Sequence, residues 1–179
     1  MAKILLGCGA SAALHKACDL ASKLAQEGHL VRALLTPRAA ELVSPQLFEA
    51  LTGEPARASE FGPARRGGMD HIELSQWGEL LLVAPATADL VARLALGLAD
   101  DLVTTTALAL PPEVPRLLAP AMNPHMLASG PVRRNLDRLR EDGWTLVEPA
   151  EGRLACGVEG HGRLPEIERL QAAVRERLG

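Results

Sequence analysis

Short runs of aliphatic residues alternate with stretches of helical periodicity along this chain of 179 residues. Nearly every position within each run is apolar, which is typical of strands buried on both faces of a sheet. Strands that alternate with helices form a parallel sheet, because each helix carries the chain back to the same edge. We therefore predict the α/β class, with a Rossmann-like, doubly wound parallel sheet and helices on both faces. The predicted strands are 3–8, 30–35, 80–84, 116–119 and 144–147.

The predicted helices fall between these strands and after the last one. They cover 11–26, 90–98, 101–110, 131–140 and 166–178. The segment 52–70 interrupts the pattern, since it is rich in glycine and proline and holds few apolar residues. A long irregular stretch inside a compact domain is usually functional or disordered. Because no internal repeat or shift in composition marks a boundary, we expect residues 1–179 to form one domain.

Composition and charge exclude several classes of partner. Two Phe, two Trp and no Tyr leave few aromatic faces on which nucleic-acid bases could stack. The net charge is −3 and the basic residues stand among acidic ones, so no basic stripe follows a phosphate backbone. No apolar run approaches the roughly 18 residues that a membrane-spanning helix needs. We expect neither a nucleic acid nor a membrane as partner.

The three cysteines bear on compartment and chemistry. Cys8, Cys18 and Cys156 form no CxxC pair and no zinc-ligand spacing, so we expect no metal site. An odd number of cysteines without a signal peptide is typical of a cytoplasmic protein. Cys8 and Cys18 are expected to be buried packing residues. Cys156 lies between Gly152 and Gly162, and a thiol among small residues in a flexible segment is a candidate proton donor or nucleophile.

Ligands of a doubly wound sheet bind at the carboxyl ends of its strands. Residues 7–12, Gly-Cys-Gly-Ala-Ser-Ala, follow the first strand and fit the loose pattern G-x-G-x-x-A. Gly9 permits close backbone approach to a phosphate, and Ser11 adds a hydroxyl at the amino end of the next helix. A tight turn that binds no ligand explains the same residues. Thr36 ends the second strand where an NAD-binding fold carries an acidic residue, which disfavours NAD and adds another hydroxyl.

Three further candidates follow later strands or the irregular segment. After the third strand, 84–89 reads Ala-Pro-Ala-Thr-Ala-Asp, and such small residues let a flat ring lie against the backbone. Thr87 suits either a ligand contact or a helix cap. Asn123 precedes Pro124 and is therefore biased away from helix, so its amide suits a carboxylate or carbonyl, although an ordinary loop Asn is the alternative. His71 follows the irregular segment and is a candidate catalytic residue presented from a loop.

The order of these motifs resembles one family over nearly the whole chain, the homo-oligomeric flavin-containing cysteine decarboxylases. Residues 7–16 resemble its opening glycine-rich loop, and 36–39 resemble its Thr-x-x-Ala element. Residues 71–74, His-Ile-Glu-Leu, resemble the segment that carries its active-site histidine. Residues 84–101 resemble its long block that begins Ala-Pro-Ala-Thr-Ala.

Two motifs nearer the end of the chain make the resemblance more specific. Residues 120–126, Pro-Ala-Met-Asn-Pro-His-Met, fit the signature Pro-x-Met-Asn-x-x-Met. Residues 155–157, Ala-Cys-Gly, together with Gly-x-Gly-Arg at 160–163, resemble the substrate-clamp loop of the branch that acts in coenzyme A synthesis. Leu127 and Val158 depart from the family pattern, which has Trp and Asp at those places.

The resemblance implies FMN as cofactor and 4′-phosphopantothenoylcysteine as substrate. Oxidation of the substrate thiol lets CO₂ leave, because the remaining electrons spread over an enethiolate. Asn123 is then expected to hold the substrate carboxylate, His71 to assist there or handle protons, and Cys156 to donate a proton. Ala155 and Gly157 are expected to pack over the substrate. The expected cofactor-binding residues are Gly9, Ala10, Ser11, Thr36, Pro85, Thr87, Ala88 and Ala121.

The resemblance also implies an assembly, a homo-oligomer built from trimers or arranged as a dodecamer, with the flavin between subunits. It further implies a stand-alone decarboxylase whose ligating partner activity resides on another polypeptide. The alternatives are another flavin-dependent cysteine decarboxylase, a non-catalytic FMN-binding regulatory homologue and an NAD(P)-linked oxidoreductase. Retention of both His71 and Cys156 disfavours the regulatory homologue.

Overall fold

A five-stranded parallel sheet forms the centre of the molecule. The computed structural model describes residues 1–60, 69–153, 157 and 159–179. Within these ranges the strand order is β2-β1-β3-β4-β5, so the chain reverses its direction of winding between β1 and β3. The strands are β1 (Lys3–Cys8), β2 (Leu30–Leu35), β3 (Leu80–Ala86), β4 (Arg116–Pro120) and β5 (Thr145–Leu146).

Helices cover both faces of this sheet, as predicted. Their bounds are α1 (Leu14–Gln26), α2 (Pro37–Ala40), α3 (Pro45–Thr52), α4 (Asp70–Trp77), α5 (Ala88–Leu96), α6 (Leu102–Ala109), α7 (Pro124–Ala128), α8 (Gly130–Glu141) and α9 (Ile167–Leu178). Successive strand residues point to opposite faces. Ile4 and Leu6 therefore join the core beneath α1 and α9, whereas Leu5 joins the core beneath α4, α5, α6 and α8.

The predicted strands are confirmed with small changes of length. β3 extends two residues past the prediction to Ala86, and β5 contains only two residues. The first helix was predicted to begin at Ser11, but α1 begins at Leu14. The difference has a local cause, since the N–H of Leu14 donates to the carbonyl oxygen of Ser11 (3.0 Å) and closes a turn ahead of the helix.

Several short elements were not predicted. The helices α2, α3 and α7 each begin with proline after a residue whose side chain caps the helix, namely Thr36, Ser44 and Asn123. Four to eight residues are too few for apolar periodicity to show. An antiparallel hairpin of β6 (Ala150–Arg153) and β7 (Glu159–Arg163) was also missed, because its strands consist mainly of glycine and charged residues.

Two other sequence expectations concern burial and membranes. Cys8 and Cys18 are buried free thiols, as expected, and burial raises the pKa of the Cys8 thiol. Residues 61–68 of the irregular segment 52–70 lie outside the described residues. The segment starts where α3 ends, at Thr52, and finishes where α4 begins, at Asp70. Among the helices described, none is both long and apolar enough to cross a bilayer.

Candidate active site

A cavity of about 660 Å³ opens where three parallel strands end. Its walls come from the residues that follow β1, β3 and β4, and from the hairpin β6–β7. This is the edge of the sheet, beside the reversal between β1 and β3, at which doubly wound proteins bind ligands. Of the residues predicted for the site, the cavity brings together Ala10, Ser11, Thr87, Ala88, Ala121 and Asn123.

The wall after β1 is a turn that leads into α1. Ala10 and Ser11 line the cavity, and the Ser11 hydroxyl accepts a hydrogen bond from the N–H of Ala13 (3.2 Å). Among the described residues, no side chain caps the amino end of α1. The first N–H groups of a helix lack partners within it and carry a partial positive charge. This wall is therefore suited to a negatively charged group.

Gly9 and Pro85 stand directly behind this wall. The N–H of Gly9 donates to the carbonyl oxygen of Pro85 (2.9 Å), and a Cβ on Gly9 would lie 2.8 Å from that same oxygen. The peptide bond between Ala84 and Pro85 is cis. The ends of β1 and β3 can approach this closely because residue 9 has no side chain. Both predicted residues thus shape the site from behind its surface, and their contact with a cofactor stays a prediction.

The wall after β3 combines a helix cap with small side chains. Thr87 Oγ1 accepts a hydrogen bond from the N–H of Leu90 (3.3 Å), so Thr87 caps α5. Thr87 also lines the cavity beside Ala88. Of the two roles expected for Thr87, the helix cap is therefore observed. In this position Thr87 and Ala88 both lie at the cavity surface, so a ligand contact stays a prediction.

The wall after β4 holds Asn123 in a fixed orientation. Its Oδ1 accepts a hydrogen bond from the N–H of His125 (2.8 Å) and caps α7. The preceding residue, Met122, donates its N–H to the carbonyl oxygen of Gly162 in β7 (2.9 Å). A Cβ on Gly162 would lie only 2.2 Å from the Met122 carbonyl oxygen. The hairpin therefore rests directly on the segment that carries Asn123.

Basic residues that were not predicted as site residues line the hairpin side of the cavity. Arg153 and Arg163 come from the hairpin, and Lys16 comes from α1. Glu166 accepts hydrogen bonds from Arg163 and from Lys16 Nζ (3.3 Å for Lys16). Burial lowers the pKa of Lys16, and the nearby charge of Arg163 lowers it further. The Gly-x-Gly-Arg motif at 160–163 is the part of the sequence from which this wall could have been predicted. We interpreted it as a loop and not as a cationic surface.

Thr36 lies at the same edge of the sheet but outside the lining of the cavity. Its N–H donates to the carbonyl oxygen of Cys8 (3.0 Å), and its Oγ1 accepts a hydrogen bond from the N–H of Ala39 (3.2 Å). The side chain is almost fully buried. Its observed role is to cap α2, and its role as a cofactor contact stays a prediction.

The structure corrects the expected setting of His71. This residue lies in the first turn of α4, not in a loop, and its Nδ1 hydrogen-bonds to Glu60 Oε1. It does not line the cavity of its own chain. Gly157 is exposed, with a φ of 83°, and also lies outside the lining. Ala155 and Cys156, the other two residues predicted in this region, lie outside the described residues.

The fold and the cavity define an α/β protein with a ligand site at the carboxyl ends of its parallel strands. The chain belongs to the Flavoprotein family, whose model matches residues 1–179. Among curated relatives, the coenzyme A biosynthesis bifunctional protein CoaBC of Bacillus subtilis is 42% identical over 167 residues. The corresponding protein of Escherichia coli strain K12 is 40% identical over 162 residues. These matches cover 93% and 90% of this chain, but only 41% and 39% of the relatives. The chain thus spans about two fifths of their length.

Solved structures of related proteins share the fold. A cysteine-to-serine mutant of PPC decarboxylase, complexed with pantothenoylaminoethenethiol, superposes with a TM-score of 0.84 at 30% identity, covering 98% of this chain and 97% of that one. The FMN-dependent cysteine decarboxylase SpaF gives 0.83 at 30% identity, covering 100% and 98%. The FMN-binding protein AtHal3 gives 0.84 at 29% identity, covering 98% and 95%.

Proposed function

We propose that this chain is an FMN-dependent decarboxylase that converts 4′-phosphopantothenoylcysteine to 4′-phosphopantetheine in coenzyme A biosynthesis. The observation that carries the proposal is the cavity at the end of β1, β3 and β4, which unites six residues chosen from sequence. The similarity to CoaBC proteins and to PPC decarboxylase supports this choice of substrate. We propose that residues 1–179 act as one flavoprotein domain, located in the cytoplasm.

The residues of the cavity fit FMN. The small side chains Ala10, Ala88 and Ala121 leave room for a flat ring against the backbone. Ser11 and the amino end of α1 suit the phosphate, since a helix amino terminus attracts an anion. Sheets with the strand order found here bind FMN at the reversal between β1 and β3 in other flavin proteins. When bound, FMN would supply the two-electron redox chemistry that activates the substrate thiol.

Asn123 is proposed to hold the substrate carboxylate. Its Oδ1 is engaged as the cap of α7, which fixes the side-chain plane at the cavity surface. An amide nitrogen carries two N–H donors, so an oriented Asn can bind a carboxylate without adding negative charge. The adjacent hydrogen bond from Met122 to Gly162 ties this segment to the hairpin. Positioning of this kind contributes to rate by holding the reacting group in one geometry.

We propose proton-handling roles for His71 and Cys156. Cys156 would donate the proton that accompanies reduction of the enethiol, since a thiol with a reference pKa of about 8.5 gives up a proton near neutrality. Ala155 and Gly157 would pack over the substrate and exclude water. His71 would act near the carboxylate, where the Nδ1 contact with Glu60 would orient its imidazole.

The position of His71 supports a homo-oligomer. His71 lies outside the lining of the cavity of its own chain, and a site shared with another copy of the chain would bring it to the substrate. We propose an assembly built from trimers, either a single trimer or a dodecamer. Sedimentation of the purified protein measures this directly, and a monomer that remains fully active would contradict the role of His71.

The function is tested by colour and by product. The purified protein should be yellow and should release FMN on denaturation. It should then release CO₂ from 4′-phosphopantothenoylcysteine and yield 4′-phosphopantetheine, measured by mass spectrometry. A peptide with a carboxy-terminal cysteine tests the alternative of another flavin-dependent cysteine decarboxylase, the class named for SpaF. If the peptide is turned over faster than 4′-phosphopantothenoylcysteine, the proposed substrate is wrong. If the protein is yellow but inactive on both compounds, it is the regulatory homologue.

A further inference from the structure

The hairpin side of the cavity is basic. Lys16, Arg153 and Arg163 all line it, whereas no Asp or Glu of the described chain lines the cavity. The remaining walls consist mainly of small or apolar residues. A concentration of cations in one part of an otherwise neutral pocket attracts an anionic group of a ligand.

Nearby carboxylates balance only part of this charge. Glu166 pairs with both Lys16 and Arg163, and it is exposed at the start of α9. Glu168, which also acts on Lys16, is engaged by Lys23 at 2.9 Å. Glu159 lies opposite Arg153 in the hairpin register, so three cations face two carboxylates and a net positive charge remains. A phosphomonoester carries a charge of about −1.5 to −2 at neutral pH and would be attracted to this surplus.

The guanidinium of Arg163 is held in place by the hairpin itself. It crosses the neighbouring strand at Gly152, where a Cβ would lie 3.1 Å from one of its terminal nitrogens. Its Nε is buried and has no hydrogen-bond partner within the described structure. The planar guanidinium matches the geometry of phosphate oxygens through its terminal N–H groups.

We propose that Arg153 and Arg163 form a subsite for a phosphomonoester, and that its occupant is the phosphate of the substrate. This inference rests on the proposed function. The hairpin contacts the Asn123 segment through the hydrogen bond from Met122 to Gly162, so both walls belong to one cavity, in which the carboxylate and the phosphate at the two ends of the substrate would meet different residues. The phosphate of FMN is also a phosphomonoester and could occupy the same subsite. Ser11 and the amino end of α1, on a different wall, are already proposed to bind the FMN phosphate.

The test compares substrates with and without the phosphate. Arg153→Gln and Arg163→Gln are assayed with 4′-phosphopantothenoylcysteine and with pantothenoylcysteine, and FMN content is measured from flavin absorbance. Each substitution should lower kcat/KM for the phosphorylated substrate about 10- to 100-fold, as expected for the loss of one charge-assisted hydrogen bond. The loss with pantothenoylcysteine should be much smaller, and FMN content should equal that of the unmodified protein. Arg163→Lys, which keeps the charge but not the planar donor set, should give an intermediate loss.

Arg169→Gln on α9 is the matched control, because it removes an exposed arginine that pairs with Glu176 and does not line the cavity. Equal losses with both substrates would overturn the subsite, and so would a loss of FMN, which would place the flavin phosphate there. Calorimetric titration with 4′-phosphopantetheine and with pantetheine separates this inference from the function. If the unmodified protein is inactive on both substrates but prefers phosphopantetheine through Arg153 and Arg163, the function fails and the subsite stands. If phosphopantetheine and pantetheine bind equally, the subsite is wrong.

Discussion

The two sides of the cavity are built in different ways. The sheet side consists of turns that follow buried parallel strands, and many of its cavity-lining residues are small, such as Ala10 and Ala88. The hairpin side belongs to a separate two-stranded sheet and presents Arg153 and Arg163. Small residues suit a flat cofactor that lies against the backbone, whereas a charged wall suits an anionic group of the substrate. The proposed roles follow this difference: the sheet side would hold FMN and, through Asn123, the substrate carboxylate, and the hairpin side would recognise the substrate phosphate.

Ser11→Asp should have the largest effect on flavin content and activity, because it changes the sheet side at the position proposed for the FMN phosphate. A carboxylate there repels the FMN phosphate, so the protein should purify colourless and show no decarboxylation. Ser11→Ala is the control, since it removes the hydroxyl without adding charge and should retain much of the flavin. If Ser11→Asp retains full flavin occupancy, read from visible absorbance, the proposed position of the FMN phosphate at this wall is wrong.

Asn123→Asp should abolish turnover but leave the flavin bound. Asp caps helices as well as Asn does, so α7 should keep its start while the side chain gains a negative charge. An ionised carboxylate facing the substrate carboxylate in a closed site is strongly unfavourable, and kcat/KM should fall about a hundredfold or more. Near-normal affinity for 4′-phosphopantothenoylcysteine, measured with the yellow protein, would remove Asn123 from the carboxylate role.

Cys156→Ser should divide the reaction into two halves. A serine hydroxyl is nearly the size of a thiol but a far weaker acid, so CO₂ should still be released in a single turnover. The product should then be an enethiol two hydrogens lighter than 4′-phosphopantetheine, detected by mass spectrometry. If the variant forms 4′-phosphopantetheine at the rate of the unmodified protein, Cys156 is only a packing residue. Complete loss of CO₂ release would place its action earlier in the reaction.

Gly162→Ala should impair the hairpin side and spare the cofactor. The new Cβ would meet the Met122 carbonyl oxygen, and residue 162 has a φ of 137°, which L residues rarely adopt. Strain of this kind costs about 1–3 kcal/mol, so the free energy of unfolding should fall by about that amount, and kcat/KM should decrease as the hairpin shifts away from Met122 while FMN content is unchanged. Gly143→Ala is the control, because it has a φ of 87° with no atom within 4 Å of its new Cβ. If both variants lose activity equally, the contact with Met122 is unimportant.

Thr36→Val should have the smallest effect. It removes the hydroxyl that caps α2 and should lower the free energy of unfolding by about 1 kcal/mol, measured by urea denaturation. Thr36→Ser retains the cap and should restore stability. A parallel loss of FMN in Thr36→Val, recovered in Thr36→Ser, would show that this hydroxyl contacts the cofactor as well as the backbone.

The parallel sheet was predictable because strands that are buried on both faces have continuous runs of aliphatic residues in the sequence. The turns after β1, β3 and β4 could be found for the same reason, since each directly follows such a run. The helix around His71 was not predictable, because α4 begins without a side-chain cap beside a stretch rich in glycine and proline. The basic wall was missed because pairing of glycine-rich strands depends on contacts with Met122 and Pro124 that are distant in sequence.

Among the described residues, the hairpin shares no strand pairing with the five-stranded sheet. The hydrogen bond from Met122 to Gly162 joins it to the Met122–Pro124 segment, and a Cβ on Gly160 or Gly162 would lie close to that segment. Because β6 and β7 pair with each other and not with the five-stranded sheet, a substitution at an exposed position of either strand leaves the pairing of the parallel strands untouched. The chemistry of this side of the cavity can therefore change without any change in the core.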